Sequence, residues 1–309
     1  MTQVNMQQVK ELRDRTAAGL NDCRGALVEA AGDMEKAVEI ILKKGLAKSA
    51  KRAGAVATEG AVAARVAKDK KSGIIVEVNI QTDFAARNDD FVSFVKNVVD
   101  VAAAAPAGAD LATLPYPAGG GTVEEVRQAL VGKLGENITV RRWAKLESKS
   151  GVVHSYVHMG GKIGVILAVE LGNASLSEHP SVVKFIDDTA MQAAAMAPIC
   201  VGIPDVPADE KAQQVKIYEA QLEEEGKPAQ ARPKIIEGKL AKWMKEICLL
   251  EQVSVLETEK TIAQQLEAVV KEVGTPITIA SFVRYERGEG IEKKKTEDFA
   301  AEVMRMSQS

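Results

Sequence analysis

Gln81-Thr82-Asp83-Phe84-Ala85-Ala86-Arg87-Asn88 is the stretch around which this chain can be read. It follows Ile74-Ile75-Val76-Glu77-Val78-Asn79-Ile80, a β-branched apolar run bounded by Gly73 that predicts a strand. It precedes Phe91, Phe94, Val95, Val98 and Val99, whose spacing is one face of a helix. Asn88, Asp89 and Asp90 supply a cap and an acidic first turn for that helix. Asp83 and Phe84 therefore fall on a short strand-to-helix connector. Two readings stand there. Phe84 is core at a strand end with Asp83 as a cap, or a stiff connector presents an acid and a ring outward. Phe84 is out of step with the apolar helix face behind it, so that face does not claim it.

Working outward, Gly60 to Ala67 predicts a strand and Asp69-Lys70-Lys71-Ser72-Gly73 a turn into the next one. A helix is expected from Asp89 to Ala105, and Pro106 to Gly121 reads as a loop. Thr122 caps a helix with Glu124 and Glu125 in its first turn, Gly135 ends it after Lys133 or Leu134, and Asn137 to Leu146 is a third strand. The pattern then recurs. Gly151 to His158, the turn Gly160-Gly161-Lys162-Ile163-Gly164, and Val165 to Leu171 repeat the first two strands. Val182, Val183, Phe185 and Ile186 with Ala190 to Ala195 repeat the helix, and Gly274 to Phe282 repeats Gly135 to Trp143. Two copies of one unit, each a small antiparallel sheet with helices on one face, give an α+β fold. Where the first copy has Gln81-Thr82-Asp83-Phe84, the second has Gly172-Asn173-Ala174-Ser175. The shared fold does not need an Asp-Phe pair at this corner, which favours the outward reading.

The flanking segments complete the layout. Residues Val4 to Ala53 predict three short helices: one from Met6, Val9 and Leu12, a break at Thr16-Ala17-Ala18-Gly19, a second capped by Asn21 or Asp22, and a third begun by Asp33 and closed by Lys43-Lys44-Gly45. Leu46 to Thr58 reads as a basic helical linker. In the second copy, Val215, Tyr218 and Leu222, then Ile236, Leu240, Trp243 and Ile247, have the spacing of a coiled-coil seam around the turn Gly226-Lys227-Pro228. That insertion is either a stabilising arm or a second contact surface. Thr296 is expected to cap a last helix with Phe299, Val303 and Met304 on one side. The expected units are a three-helix, ubiquitin-associated-like module (1–55), subdomain N (56–147), subdomain C (148–287) with the coiled-coil hairpin at about 207–250, and a C-terminal helical module (288–309).

Composition narrows the function. A formal net charge of -3 over 309 residues argues against a protein built chiefly to hold nucleic acid. No run is long and apolar enough to span a bilayer and no signal-peptide layout opens the chain, so no membrane association and a cytoplasmic location are expected. Cys23, Cys200 and Cys248 are far apart in the sequence and form no CxxC pair, so neither a disulfide framework nor a zinc site is expected. Gly119-Gly120-Gly121 precedes a helix but lacks the lysine of a phosphate loop. His154 and His158 on one strand stand roughly 13 Å apart at ~3.3 Å per residue, too far for one metal ion. No Ser or Cys sits in a nucleophile motif. Arg141-Arg142-Trp143 reads as a solvated strand edge rather than an RNA contact. No catalytic site, cofactor or metal is expected.

These residues also carry a resemblance. Val9-Lys10-Glu11-Leu12-Arg13, Thr16, Gly19 and Asp22-Cys23 resemble the opening of the translation elongation factor Ts family. So do Gln81-Thr82-Asp83-Phe84, Gly135-Glu136-Asn137-Ile138 and Gly288-Glu289-Gly290-Ile291-Glu292-Lys293, in the same order along the whole chain. The resemblance implies a non-enzymatic guanine-nucleotide exchange factor that binds elongation factor Tu, GDP-bound and nucleotide-free, without a cofactor or direct nucleic-acid contact. It implies that Phe84, with Thr82 and Asp83 beside it, wedges into the GTPase domain near the Mg²⁺ and phosphate region. It implies further partner contacts at His158, Leu134, Leu20 and Asn21, and at the C-terminal helix. The family often has methionines where this chain has Leu20-Asn21. A homodimer through subdomain C or the coiled coil stays open. So do a scaffold using the three-helix module and hairpin, and an enzyme of a kind these motifs do not show.

Overall fold

Three helices open the structure, a computed structural model that describes residues 4–16 and 18–292. The first, α1 (Met6–Thr16), turns Val9, Leu12 and Thr16 inward, and the Thr16 hydroxyl donates to the Leu12 carbonyl at 2.7 Å. The second, α2 (Leu20–Glu29), starts earlier than expected. Gly19 is its N-cap with no side-chain bond, so Asn21 and Asp22 lie inside the first turn rather than capping it. The third, α3 (Met34–Arg52), is capped as expected by Asp33, which accepts from the Lys36 amide. It does not stop at Lys43-Lys44-Gly45; most of the expected linker is its last turns. The reason is packing. A Cβ on Gly45 would lie 3.4 Å from the Gln128 carbonyl oxygen and 3.6 Å from the Ala129 Cα, so glycine lets two helix backbones approach. Cys23, Ala26, Leu27, Ala37 and Ile41 form the core of this module.

The first repeat runs β1 (Glu59–Val66), β2 (Ser72–Ile80), α4 (Asp83–Ala86), α5 (Asp89–Ala104), α6 (Val123–Leu134) and β3 (Ile138–Glu147). The second runs β4 (Val152–His158), β5 (Ile163–Leu171), α7 (Pro180–Met196), α8 (Ala208–Glu224), α9 (Arg232–Ile247), α10 (Ile262–Val273) and β6 (Ile277–Glu286). Each repeat makes a three-stranded antiparallel sheet, ordered β1-β2-β3 and β4-β5-β6. The correspondence reaches the irregularities. The middle strands shift register at Glu77/Val78 and at Ala168/Val169. Thr122 with Glu125 and Thr261 with Gln264 form capping boxes on α6 and α10, and Gly135 (φ 74°) and Gly274 (φ 65°) end both helices left-handed.

Helices cover one face of each sheet, as the pattern predicts. The other faces pack against each other through Val62, Ile75, Val153, Ile166 and Ala168, giving a helix–sheet–sheet–helix stack. Two glycines permit the close approach. A Cβ on Gly73 would lie 2.6 Å from Val153 Cγ1, and one on Gly164 would lie 2.6 Å from Val62 Cγ1.

Helices α8 and α9 pack as the inserted hairpin, with Gly226 at φ 67° after α8. Leu222 and Ile236 are buried between them, while Leu240, Trp243 and Ile247 are half-buried. At the hairpin's foot, Cys200 and Cys248, far apart in sequence, bring their sulfurs to 3.5 Å as free, buried thiols. Burial pushes the Cys248 thiol up to about 12.

The Arg141-Arg142 pair is not a solvated edge. Both guanidiniums bind the fully buried Glu77 carboxylate, at 3.1 Å and 2.6 Å, and Arg142 lies 4.2 Å over the Tyr285 ring. The Gly288 amide donates to the same carboxylate at 2.7 Å, which ties the segment after β6 to subdomain N. Ala17 of the predicted break and the predicted helix carrying Thr296, Phe299, Val303 and Met304 lie outside the described residues.

Candidate functional site

Helix α4 is a single turn held at both ends. The Thr82 hydroxyl oxygen accepts from the Ala85 amide at 3.2 Å. The Thr82 amide and hydroxyl donate to the two oxygens of Glu136 at 3.0 and 2.7 Å. Glu136 follows the left-handed Gly135 that ends α6, so the turn is pinned to the α6–β3 corner. The Gln81 side-chain carbonyl accepts from the Asn137 amide at 2.6 Å and strengthens the same joint. Beyond the turn, Asn88 caps α5 by accepting from the Asp90 amide at 2.9 Å. What sequence spacing places on a connector is therefore a short, capped helical turn.

Packing decides which way the turn faces. Ala85 and Ala86 lie against the core under β2 and α5. Phe84, on the opposite side, is 83% exposed. A phenylalanine left in water forgoes about 1.5–3 kcal/mol of apolar transfer, which is unusual for a rigid, well-capped position. Asp83 is half-exposed, with a carboxylate oxygen 3.2 Å from the Arg87 guanidinium. An exposed pair at this spacing contributes about 0.3–0.5 kcal/mol, too little to keep the carboxylate from another partner. In the second repeat Asn173 caps the equivalent turn, Ala174–Glu178, and small residues occupy the Asp83 and Phe84 positions. The corner is common to both repeats; the exposed acid and ring are not.

The remaining expected contacts fall into three places. His158 ends β4 and is exposed. The Tyr156 hydroxyl is 3.0 Å from its Nδ1 and the two rings stack at 5.9 Å, so the imidazole is oriented by its own strand. Leu134 is the last residue of α6 and is half-buried against subdomain N's core, so part of its surface serves the fold. Leu20, 46% exposed, and Asn21 open α2. Ala18 and Asp22 share a crevice with Ala129 and Gly132, which sets the start of α2 beside the later half of α6. Helix α6 thus links three of these places: α2 beside it, Leu134 at its end, and Glu136 gripping Thr82. His158 belongs to the other subdomain, whose β4–β5 turn reaches the α4 neighbourhood across a cleft of about 630 Å³.

Glu136 was not singled out by sequence reasoning. Its signals are its place after a helix-ending glycine and its membership of the Gly135-Glu136-Asn137-Ile138 motif that carries the resemblance. His154 pairs with Asp187 at 3.0 Å, and burial pushes its pKa down against the pull of that carboxylate. Among the described residues no three His, Cys, Asp or Glu side chains stand together as a metal site, and no helix is long and apolar enough to cross a membrane.

A family model described as Elongation factor TS matches residues 81–289. A Clostridium perfringens protein named Elongation factor Ts is 45% identical over 304 residues, covering 98% of this chain and 99% of that protein. Proteins of the same name from Clostridium botulinum and Nitratiruptor sp. are 43% and 45% identical, each covering 97% of this chain and 98% of their own length.

Proposed function

This chain belongs to the elongation factor Ts family, and from that premise we propose that it releases GDP from elongation factor Tu by inserting Phe84 into the GTPase domain. The observation that supports the wedge is the pairing of extreme exposure with rigidity at Phe84. A ring on a mobile segment would cost backbone entropy on docking; a capped turn has already lost that part. Burying the ring in a partner returns about 1.5–3 kcal/mol of apolar transfer, which can hold open a conformation that grips nucleotide poorly.

Asp83 acts beside it. A carboxylate brought toward a bound Mg²⁺ and diphosphate repels the phosphate and competes for the cation. Thr82 positions the pair, because both functions of its hydroxyl are already engaged. His158, Leu134, Leu20 and Asn21 extend the contact over both subdomains and the helical module. The reaction has no covalent step. Linkage requires that a factor weakening GDP is itself weakened by GDP to the same degree, so incoming nucleotide displaces it and the cycle turns over.

The test is release of a fluorescent GDP analogue from elongation factor Tu, with and without this protein. Strong acceleration is expected, largely lost in Phe84→Ala and reduced in Asp83→Ala. Release at the spontaneous rate in the presence of the wild-type chain would overturn the proposal.

A further inference from the structure

The cleft beside α4 has the features of a second, preformed docking pocket, and Met159 is its least expected component. One wall is Ala86, Val92 and Val95; Ala61 lies between the walls, and Met159 and Lys162 of the β4–β5 turn form the other. Met159 is 67% exposed at φ 49°, a left-handed conformation that costs a side-chain-bearing residue about 1–2 kcal/mol. Glycine would relieve that strain, and Gly160 and Gly161, also left-handed, follow directly. A large apolar side chain held in strain and in water at a cleft mouth has no use in the fold itself.

The turn is rigid. The Val62 amide donates to the Gly161 carbonyl at 2.8 Å, and the Arg287 amide to the Lys162 carbonyl at 2.8 Å. The first bond joins the two subdomains beside the cleft, and the second ties the turn to the segment after β6. Its charges are nearly balanced: Asp83 pairs with Arg87 at 3.2 Å and Glu59 with Arg287 at 2.7 Å. Lys162 is exposed and has no ion-pair partner among the described residues, so the cleft presents one uncompensated positive charge above an apolar floor.

We propose that this cleft receives an apolar side chain flanked by a carboxylate on the GTPase partner, with Met159 packing on the first and Lys162 pairing with the second. The inference rests on the exchange-factor reading and adds a second grip to it. Phe84 enters the partner, while the partner enters the cleft next to Phe84. Because the cleft exists before binding, it supplies affinity and register rather than the wedge that opens the nucleotide site.

The experiment measures affinity for nucleotide-free elongation factor Tu, and GDP release at saturating factor, using the full chain. Met159→Gly removes the side chain and relieves the backbone. It is expected to weaken binding roughly tenfold, a buried methionine's transfer energy expressed as affinity, with release at saturation unchanged. Met159→Leu, which keeps an apolar side chain, restores most of the affinity. Lys162→Gln weakens binding less and flattens its salt dependence. If the wild-type chain accelerates release and both Met159→Gly and Lys162→Gln bind as tightly as wild type, the pocket is refuted and the wedge stands. If the wild-type chain neither binds nor accelerates release, both fall together.

Discussion

Thr82 and Glu136, distant in sequence, meet through two hydrogen bonds of 3.0 and 2.7 Å, and this pair holds the exposed Phe84 turn against the end of α6. The rigidity of the turn therefore depends on a residue outside it. Glu136→Ala is expected to cost about 1–2 kcal/mol of local stability and to lower exchange activity although Asp83 and Phe84 are intact. Faster hydrogen exchange at the Ala85 amide, alongside the slower GDP release, would be the signature. Unchanged exchange at that amide would count against the clamp.

Under the proposed function, Phe84 and Phe94 separate function from folding. Phe84→Ala removes a ring that the fold leaves in water, so urea unfolding should move by less than about 0.5 kcal/mol. Phe94 is buried in the core beneath the same sheet, and Phe94→Ala should cost about 3–5 kcal/mol. A large stability loss in Phe84→Ala would show that the ring serves the chain's own core.

The glycine contacts between the sheets predict overpacking. Gly164→Ala places a Cβ 2.6 Å from Val62 Cγ1 and should destabilise by about 1–3 kcal/mol. Val62→Ala in the same chain should return part of that loss, which a double-mutant cycle in urea would read as coupling. Independent, additive effects would place the sheets further apart than described.

Acid should weaken the protein through two carboxylates. Burial pushes the Glu170 pKa up, but the Ser150 and Lys149 amides and the Ser150 and Ser148 hydroxyls outweigh it and hold the group down at about 2. Burial likewise opposes Glu77, whose pKa the Gly288 amide, Asn79 and Arg142 hold below its ordinary value. Depressed folded-state values mean that this stability is present above the unfolded carboxylate pKa of about 4.3. It is lost as pH falls from there toward the folded values. Urea midpoints measured from pH 5 to pH 2 should fall, and the fall should be shallower in Glu170→Gln. Glu77→Gln should cost about 3–5 kcal/mol already at neutral pH, because it leaves two arginines facing a buried neutral group.

Much of this architecture was legible because it is written in local chemistry. Asp33, Asn88 and Thr122 cap the helices they were expected to cap, since a cap needs only a short side chain and the next turn's amides. The two repeats were legible because alternation and helical spacing survive where residue identities do not. Gly45 was misread because a glycine that ends a helix and one that lets two helices touch look alike along the chain. Arg141 and Arg142 were misread because their partner, Glu77, reaches them only across strands.

The site divides in the same way. Spacing alone placed Asp83 and Phe84 on a stiff link between strand and helix, and the second repeat showed that the fold does not require them. Whether the ring points into the molecule or away from it was settled only when Ala85 and Ala86 met the core and Glu136 closed on Thr82. Nor does any local pattern pair the turn at Met159 with α4, because the cleft between them exists only once the two sheets are stacked. Backbone propensity and hydrophobic period act between near neighbours, so the chain alone determined its elements and their repetition. Exposure, clamping and clefts depend on which distant residues arrive at the same place, and the tertiary structure alone decided them.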